Sequence, residues 1–427
     1  MSTKPQLFVD EPVLSKDQED AVGAFMSFLL DPDESEMVIS GPSGSGKTWL
    51  TKFLLRVARE DQHMLKLLSD NYNNLNVVLT STTNKAATIL EESTGEETRT
   101  IHSLLGLKVQ NDFKTGKVKL KKSKDSEIIH NTIIFCDEIS MANSELIAEI
   151  RKSTINCKFI GIGDANQINP VFETSCPAFV EIPNQTHLTS IQRQCEGNPI
   201  IELGQKYIHA LKTGKFDPTI PECEEIIHVD GEGFRKEIHN TFNESWDVNH
   251  GRVVAWTNSR VNQYNQYIRG LHTNSTDYEV GEYLLTNQPI LDGTKVIAPT
   301  DSIHVISDIY AATIDDIPGH FISLNGCPPI FQAKDRDQVK SYLKRLAAVK
   351  DWENYFRVKD NFADLRPIYA CTAHKSQGST YDTVLVDLDD IGRNNKNDEI
   401  ARLMYVACTR AKHKVVLTGK LPARLYK

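Results

Sequence analysis

Three features are missing from this 427-residue sequence: long apolar runs, clustered cysteines and an excess of positive charge. No apolar run approaches the ~18 residues of a membrane span, and residues 1–5 do not begin a signal peptide, so we expect neither a membrane nor a secretory setting. The eight cysteines form no C-x-x-C pair, which argues against a zinc site and a disulfide framework. The net charge of −9 excludes a surface that is basic throughout, although a local basic groove would suffice for a nucleic acid.

The most informative feature that is present is a glycine-rich run that fits G-x-x-x-x-G-K-[ST]. Its residues are Gly41, Pro42, Ser43, Gly44, Ser45, Gly46, Lys47 and Thr48. The glycines let successive N–H groups point at phosphates, Lys47 can reach the β- and γ-phosphates, and the Thr48 hydroxyl can bind Mg²⁺. An apolar strand precedes the run and a helix-favouring segment follows it, as a phosphate-binding loop requires. The sequence therefore predicts a site for a nucleoside triphosphate, with a chance glycine turn as the alternative.

Short apolar strands that end in polar loops recur along the chain and predict an α/β fold. In the first half such strands lead into Thr83, Asp137 and Asp164. Continuous apolar strands with helices between them predict a parallel sheet, which binds its ligands at the carboxyl ends of the strands. A second set of strands has no glycine-rich loop of its own and covers residues 253–256, 368–371, 383–386 and 415–417. Between the first two of these, residues 275–365 predict a small β-domain with a helical appendage.

Five further residues complete the predicted nucleotide site. Asp137 and Glu138 close an apolar strand, where Asp137 would hold Mg²⁺ and Glu138 would orient and deprotonate the attacking water. Gln167 could sense the γ-phosphate through its amide. Arg193 and Arg410 would bring positive charge to the transferring phosphoryl group, and an arginine from a second domain would make hydrolysis depend on domain closure. Alternatively, the acidic pair is a solvated strand end and each arginine is a surface ion-pair partner.

In this order along the chain, the motifs resemble those of superfamily 1 helicases and, within them, the RecD/Dda-like group. Nearly the whole chain takes part, through residues 14–18 (with Gln18), 41–48, 82–87, 100–105, 137–140, 163–167 (with Pro170), Arg193, 254–258, 372–378 and 405–411. The runs Thr-Ile-His-Ser, Thr-Ala-His-Lys-Ser-Gln-Gly and Tyr-Val-Ala-Cys-Thr-Arg-Ala are far more specific than the glycine-rich loop. Thr82 stands where the family often has proline.

The resemblance implies two RecA-like parallel-sheet domains, residues 1–195 and 196–427, with ATP and Mg²⁺ in the cleft between them and single-stranded DNA across their tops. A β-hairpin at about 106–125 would be inserted in the first domain, and a Src-homology-3-like β-barrel at about 275–365 in the second. The implied nucleotide contacts come from Gln18, Lys47, Thr48, Asp137, Glu138, Gln167, Arg193 and Arg410. The implied DNA contacts come from Thr83, Asn84, His102, Ser103, Thr372 and His374.

The resemblance also implies 5′→3′ travel on one DNA strand and action as a monomer. The expected partners are single-stranded DNA, forked duplex and single-strand-binding or replication proteins. The expected location is the cytoplasm, which is the host cytoplasm for a phage-encoded chain. Replication, recombination and repair would all use the same motor.

A lysine-rich segment between the His-Ser motif and the Asp-Glu strand matches the position of the family's strand-separating hairpin, or pin. Residues 107–122 alternate around a glycine turn, which predicts a β-hairpin. Phe113 near its tip could stack on the first unpaired base while the lysines hold phosphates. We expect Phe113→Ala to slow unwinding while DNA-stimulated ATP hydrolysis survives. Alternatively, this is a solvent-exposed hairpin whose phenylalanine packs against the foot of the hairpin itself.

Other interpretations remain open at the level of sequence. His102 and His374 could simply close loops, Ser103 and Thr372 could be caps or turn formers, and Trp256 is better explained as core than as a base platform. A DNA-stimulated ATPase that mainly remodels nucleoprotein is the alternative function, and a P-loop kinase or metabolic ATPase is a more distant one. Since no carboxylate cluster stands outside the ATP site, we expect no cleavage of DNA.

Overall fold

The first half of the chain alternates strands with helices. The computed structural model describes residues 14–60, 76–112, 114, 117–122, 126–191, 198–292, 295–325 and 327–426. The elements of the first half are α1 (Lys16–Leu30), β1 (Glu36–Ser40), α2 (Lys47–Glu60), β2 (Asn76–Ser81), α3 (Asn84–Thr94), β3 (Thr98–Thr100), α4 (Ile101–Leu104), β4 (Leu107–Asp112), β5 (Lys117–Lys122), β6 (Ile129–His130), β7 (Thr132–Asp137), α5 (Ser144–Ser153), β8 (Thr154–Ile155), β9 (Lys158–Gly163), α6 (Pro177–Glu181) and β10 (Gln185–His187).

Six of these strands form one parallel sheet in the order β10-β1-β9-β7-β2-β3. Alternate strand residues face opposite sides, so that Phe135 packs with α1, α2 and α3 while Ile134 packs with α4, α5 and α6. Both faces are therefore buried, which explains the continuous apolar strands of the sequence. The first turns of α2, α3 and α4 all lie at the carboxyl edge of this sheet, because each helix follows a strand directly or after a short loop.

The second half contains another parallel sheet and a large antiparallel insertion. Its elements are α7 (Pro199–Thr213), β11 (Ile226–Val229), α8 (Gly231–Thr241), β12 (Gly251–Ala255), α9 (Asn258–His272), β13 (Tyr283–Thr286), β14 (Ile290–Asp292), β15 (Lys295–Ala298), β16 (Ile303–Ile314), β17 (Ile317–Leu324), β18 (Ile330–Ala333), α10 (Arg336–Ala348), α11 (Trp352–Asn361), β19 (Leu365–Pro367), β20 (Ala370–Thr372), α12 (Ala373–Ser376), β21 (Tyr381–Asp387), α13 (Leu388–Ile391), α14 (Asn397–Cys408) and β22 (Ala411–Thr418).

The second parallel sheet has the order β11-β22-β21-β12-β20. Helices α7 and α14 cover one face, and α8 and α9 cover the other. The prediction of an α/β chain built on two parallel sheets is confirmed. The predicted domain boundary at 195/196 lies outside the described residues.

Two antiparallel units interrupt these domains. Strands β4 and β5 pair from Leu107↔Lys122 to Asp112↔Lys117, in the segment where the sequence predicts a hairpin. In the second half, β18-β17-β16-β13-β19 form an antiparallel sheet with its own apolar cores, against which α10 and α11 pack. Its classification as a Src-homology-3-like barrel stays a prediction.

Candidate nucleotide site and nucleic-acid-facing loops

The loop between β1 and α2 has a backbone that glycine alone adopts without strain. Gly44 and Gly46 have φ angles of 86° and 79°, in the left-handed region. A Cβ atom on Gly41 would lie 2.6 Å from Ser45 Oγ and 2.8 Å from Leu188 Cβ, so this position has no room for a side chain. The loop curls over the N-terminus of α2, where backbone N–H groups and the helix dipole favour phosphate.

Lys47 lies within the curl of this loop, and α1 supports the loop from outside. The Lys47 ammonium donates to the carbonyls of Gly41 and Pro42 at 2.8 and 2.9 Å. Gln18 is buried, and its amide donates to the Ser45 carbonyl at 3.4 Å while its side-chain oxygen accepts the Ser15 N–H at 3.1 Å. Thr48 is exposed in the first turn of α2. The predicted base-reading glutamine therefore contacts the loop that contains Lys47.

The acidic pair at the end of β7 is half-buried and incompletely hydrogen bonded. Glu138 has a φ of 53°, and its N–H donates to Asp137 Oδ1 at 2.9 Å. Burial, together with the charge of Asp137, raises the pKa of Glu138 to about 7, and burial raises the pKa of Asp137 as well. Glu138 Oε2 is buried and makes no hydrogen bond to any residue that the structure describes. Such a pair fits Mg²⁺ and a water molecule, since a cation would stabilise both carboxylates and the free oxygen can accept a proton.

A tyrosine and an arginine from the second domain reach the glycine-rich loop of the first. The Tyr405 hydroxyl donates to Asp164 Oδ2 at 2.5 Å and accepts the Ser43 N–H at 2.8 Å. Arg410 Nη2 donates to Ser43 Oγ at 3.2 Å, while Arg410 Nε donates to the Val406 carbonyl at 3.1 Å. Tyr405, Asp164 and Arg410 are all buried. The end of α14 therefore contacts both the phosphate-binding loop and the loop after β9.

A second set of contacts closes the same cleft beside the acidic pair. Gln377 Nε2 donates to Gln167 Oε1 at 3.2 Å, and Arg402 Nη1 donates to the carbonyls of Ala165 and Gln167 at 2.7 and 2.6 Å. A Cβ atom on Gly378 would lie 3.7 Å from Glu138 Oε1. Groups from both domains consequently surround the candidate site for hydrolysis.

The predicted DNA-facing residues lie at the carboxyl edges of the two sheets. Thr83 begins α3 as its N-cap and accepts the Ala86 N–H at 3.2 Å, and Thr372 accepts the Lys375 N–H in the same way at 3.2 Å. Both hydroxyls therefore act as helix caps, which for Thr372 is one of the interpretations left open by the sequence. Asn84 and Ser103 are exposed in the first turns of α3 and α4.

The two predicted DNA-facing histidines are half-buried at these same edges. His102 lies in α4 after β3, and His374 lies in α12 after β20. Burial lowers the pKa of each imidazole below its ordinary value because it penalises the charged ring. Both rings are therefore neutral near pH 7. Trp256 is half-buried and packs against the second-domain core.

Two predicted site residues, Phe113 and Arg193, lie outside the described residues. The hairpin strands on either side of Phe113 are described, and Lys121 on β5 is exposed. Lys122, by contrast, points back to the body of the domain, where its Nζ donates to Ser153 Oγ at 3.2 Å. Lys122 therefore makes a structural contact, whereas the Lys121 side chain is exposed.

Sequence reasoning missed Tyr405, Asp164 and Arg402 as site residues. All but Arg402 belong to recognised motifs, yet no local pattern pairs Tyr405 with Asp164 at a separation of 241 residues. Among the residues that the structure describes, no cluster of three or more metal-ligating side chains is found. No helix in the described ranges is long and apolar enough to cross a membrane.

Two protein-family models match the chain, one in each domain. A model described as an AAA domain matches residues 30–173, which contain the glycine-rich loop and the acidic pair. A model described as a UvrD-like helicase C-terminal domain matches residues 367–418, which contain the second-domain loops that reach the cleft.

Individual proteins match over almost the full length. The ATP-dependent DNA helicase Dda of Enterobacteria phage T4 is 24% identical over 462 residues, which cover 94% of this chain and 98% of Dda. A protein of Acanthamoeba polyphaga mimivirus is 22% identical over 501 residues, which cover 93% and 98%. Pif1 helicase from Bacteroides, solved in complex with ADP-AlF3 and ssDNA, has the same fold with a TM-score of 0.50 and 14% identity, and the match covers 97% of this chain and 94% of Pif1. The two matched family models and the full-length similarity to Dda support a superfamily 1 DNA helicase that hydrolyses ATP, and the fold is the one that Pif1 shares.

Proposed function

We propose that the chain translocates 5′→3′ on single-stranded DNA and unwinds the duplex ahead of it, with closure of the two domains as the step that couples ATP hydrolysis to movement. The observation that carries this proposal is the contact of Tyr405 and Arg410 with Ser43. Second-domain groups that touch the phosphate-binding loop can respond to the γ-phosphate. The 5′→3′ direction rests on the resemblance to the RecD/Dda-like group.

Each residue of the cleft has a role that its position supports. Lys47 and the N–H groups of the loop would bind the β- and γ-phosphates, and Gln18 would read the base. Asp137 and Thr48 would hold Mg²⁺, which when bound neutralises phosphate charge. Glu138, with a pKa raised to about 7 and one free oxygen, would orient the attacking water and take its proton.

Several groups would stabilise the negative charge that develops on the phosphoryl oxygens. Gln167 would contact the γ-phosphate from the loop after β9, and Arg410 would approach from the second domain, with Arg193 as a further cation. Arg410 is hydrogen bonded to Ser43, so its side chain already contacts the loop that would bind the phosphates.

We place the DNA across the carboxyl edges of both sheets. Thr83, Asn84, His102 and Ser103 would contact it from the first domain, and Thr372 and His374 from the second. The pin hairpin at about 106–125, with Phe113 as the wedge, would part the strands. We propose that one copy suffices, with residues 1–195 and 196–427 as the two motor domains and an insert at about 275–365. Single-strand-binding or replication proteins would be its partners in the cell.

Strand displacement from forked and tailed duplexes tests this function. Partial duplexes with only a 5′ tail, only a 3′ tail or both are incubated with ATP and Mg²⁺, beside Lys47→Ala as the matched blank. We expect wild type to open the 5′-tailed and forked substrates and Lys47→Ala to open none. Opening of the 3′-tailed substrate alone would contradict the direction. DNA-stimulated hydrolysis with displacement of a bound protein but without strand separation would favour the remodelling alternative.

A further inference from the structure

A carboxylate in the first turn of α1 reaches across to the chain that follows β10. Asp17 Oδ2 accepts the N–H groups of Thr189 and Ser190 at 2.6 and 2.7 Å, and it accepts the Thr189 hydroxyl at 3.3 Å. The other oxygen, Oδ1, accepts the Gln18 N–H at 3.0 Å and the Ser15 hydroxyl. One side chain therefore joins two segments that lie 172 residues apart along the chain.

The Asp17 carboxylate is charged near neutral pH. Partial burial acts to raise the pKa of Asp17, but the hydrogen bonds from Ser15, Ser190 and Thr189 outweigh it and hold the pKa well below its ordinary value. Hydrogen bonds to a charged acceptor are stronger than those between neutral groups. The link between the two segments is therefore made of strong contacts, although Thr189 and Ser190 are exposed.

The segment that Asp17 holds begins against the glycine-rich loop. The Leu188 N–H donates to the Ser40 carbonyl at 2.7 Å, and the Leu188 side chain is buried against Gly41. The next two residues are the ones that donate to Asp17, and Ile191, which is half-buried, follows them. Because both N–H groups before Ile191 are bonded to one carboxylate, the contact fixes the direction in which the chain reaches Ile191.

Ile191 lines a cavity of about 400 Å³ beside the phosphate-binding loop. The first domain contributes residues 42–44 and Ile191 to its lining, and the second domain contributes Ile201 and Gly204 of α7 and Tyr405 of α14. This volume lies within the range of about 300–1,000 Å³ that is usual for small-molecule sites. Since phosphates would bind at the N-terminus of α2, we expect the nucleoside half of a bound nucleotide to extend into this cavity.

We propose that Asp17 is a positioning residue for nucleotide binding, because its carboxylate fixes Ile191 at the side of the cavity that would hold the nucleoside. Gln18 is the next residue of α1 and bonds the Ser45 carbonyl, so the same helical turn supports the phosphate-binding loop and orients the chain at Ile191. A cavity that is formed before the nucleotide arrives lowers the entropic cost of binding. The inference rests on the proposed function and adds to it a residue that acts through Ile191.

A purely structural role is the alternative, since an acidic residue in the first turn of a helix stabilises that helix. Glu19 is also acidic, lies in the same first turn of α1 and is exposed. Glu19→Gln is therefore the matched control, because it removes one negative charge from this turn and leaves the bonds to Thr189 and Ser190 in place.

Steady-state ATP hydrolysis by the full-length chain, with ADP and tripolyphosphate as competitive inhibitors, tests the proposal. Asp17→Asn is expected to raise the KM for ATP and the inhibition constant of ADP about tenfold, with kcat within about twofold of wild type. The inhibition constant of tripolyphosphate, which has no nucleoside, should not change. Glu19→Gln should match wild type for all three ligands.

Ile191→Ala tests the same step without a change in α1, so it keeps the proposal falsifiable if Asp17→Asn misfolds. It should also raise the KM for ATP, and the double variant should bind ATP no more weakly than the weaker single variant. An unchanged KM in either single variant, additive losses, an equal loss of tripolyphosphate affinity or an equal effect of Glu19→Gln would overturn the positioning role. Wild-type hydrolysis that does not respond to single-stranded DNA would instead contradict the proposed function.

Discussion

Replacing Tyr405 with phenylalanine would remove only the hydroxyl that joins the second domain to two loops of the first. The lost hydrogen bonds are a donation to the Asp164 carboxylate at 2.5 Å and an acceptance from the Ser43 N–H at 2.8 Å. A bond to a charged group contributes about 1.5–3 kcal/mol and a neutral one about 0.5–1.5 kcal/mol. Their sum, about 2–4.5 kcal/mol, would lower the population of the closed cleft roughly 30- to 2000-fold if both bonds form only on closure.

The assay is steady-state ATP hydrolysis at saturating single-stranded DNA. We expect Tyr405→Phe to lower kcat at least tenfold while its thermal midpoint stays close to that of wild type, because the affected bonds cross between domains. Tyr264→Phe is the matched control, since the Tyr264 hydroxyl donates to the buried Asp387 carboxylate at 2.7 Å inside the second domain. The control should lose stability and keep kcat. A Tyr405→Phe enzyme with wild-type kcat would refute the idea that this bridge supports closure.

Three further outcomes follow from the geometry. Glu138→Gln should lower kcat about 10²- to 10⁴-fold, the usual loss for a general base, with nucleotide affinity retained in a fluorescent-ATP titration; unchanged turnover would remove Glu138 from the chemistry. The Lys375 ammonium donates to Asn287 and Asp301 of the insert at 2.7 and 2.6 Å, and the ion pair with Asp301 is about one-third exposed. A double-mutant cycle that combines Lys375→Ala with Asp301→Ala should therefore give a coupling free energy of about 0.5–1 kcal/mol in urea unfolding. A coupling of zero would contradict the contact. Burial lowers the pKa of His374 in the folded chain below the 6.5 of an ordinary imidazole, so the unfolded chain binds more protons in this pH range. The free energy of unfolding should therefore fall as the pH drops below 6.5. His374→Gln should make the free energy of unfolding less dependent on pH there, and an unchanged dependence would contradict burial of His374 as the cause.

The fold was largely predictable because its main signals are local. Continuous apolar runs at β1, β7 and β9 are buried on both faces, and polar loops follow them at the carboxyl edge, as a parallel sheet requires. Gly44 and Gly46 take the positive φ angles that the glycine-rich pattern demands. The antiparallel insert is less visible in sequence, because β16 and β17 alternate irregularly between buried and exposed residues.

The site was predictable only where one motif supplies the whole arrangement. The loop at residues 41–48 and the pair Asp137–Glu138 are each contiguous, so that spacing alone indicates their chemistry. The hydrogen bond between Tyr405 and Asp164 depends on how the two domains dock, which no repeating pattern in the sequence predicts. The full exposure of Phe172 and its φ of 69° in the turn closed by the Glu173 N–H and the Pro170 carbonyl could not be predicted either, because phenylalanine is usually buried and this turn position favours glycine. The roles of Arg193 and Phe113 stay predictions.

ATP hydrolysis with and without a single-stranded oligonucleotide tests whether the nucleotide cleft drives movement on DNA. Wild type and Lys47→Ala are compared at the same Mg²⁺ and ATP concentrations. We expect DNA to stimulate hydrolysis by wild type strongly and Lys47→Ala to show neither basal nor stimulated turnover. Hydrolysis that requires Lys47 but does not respond to DNA would contradict this role of the cleft.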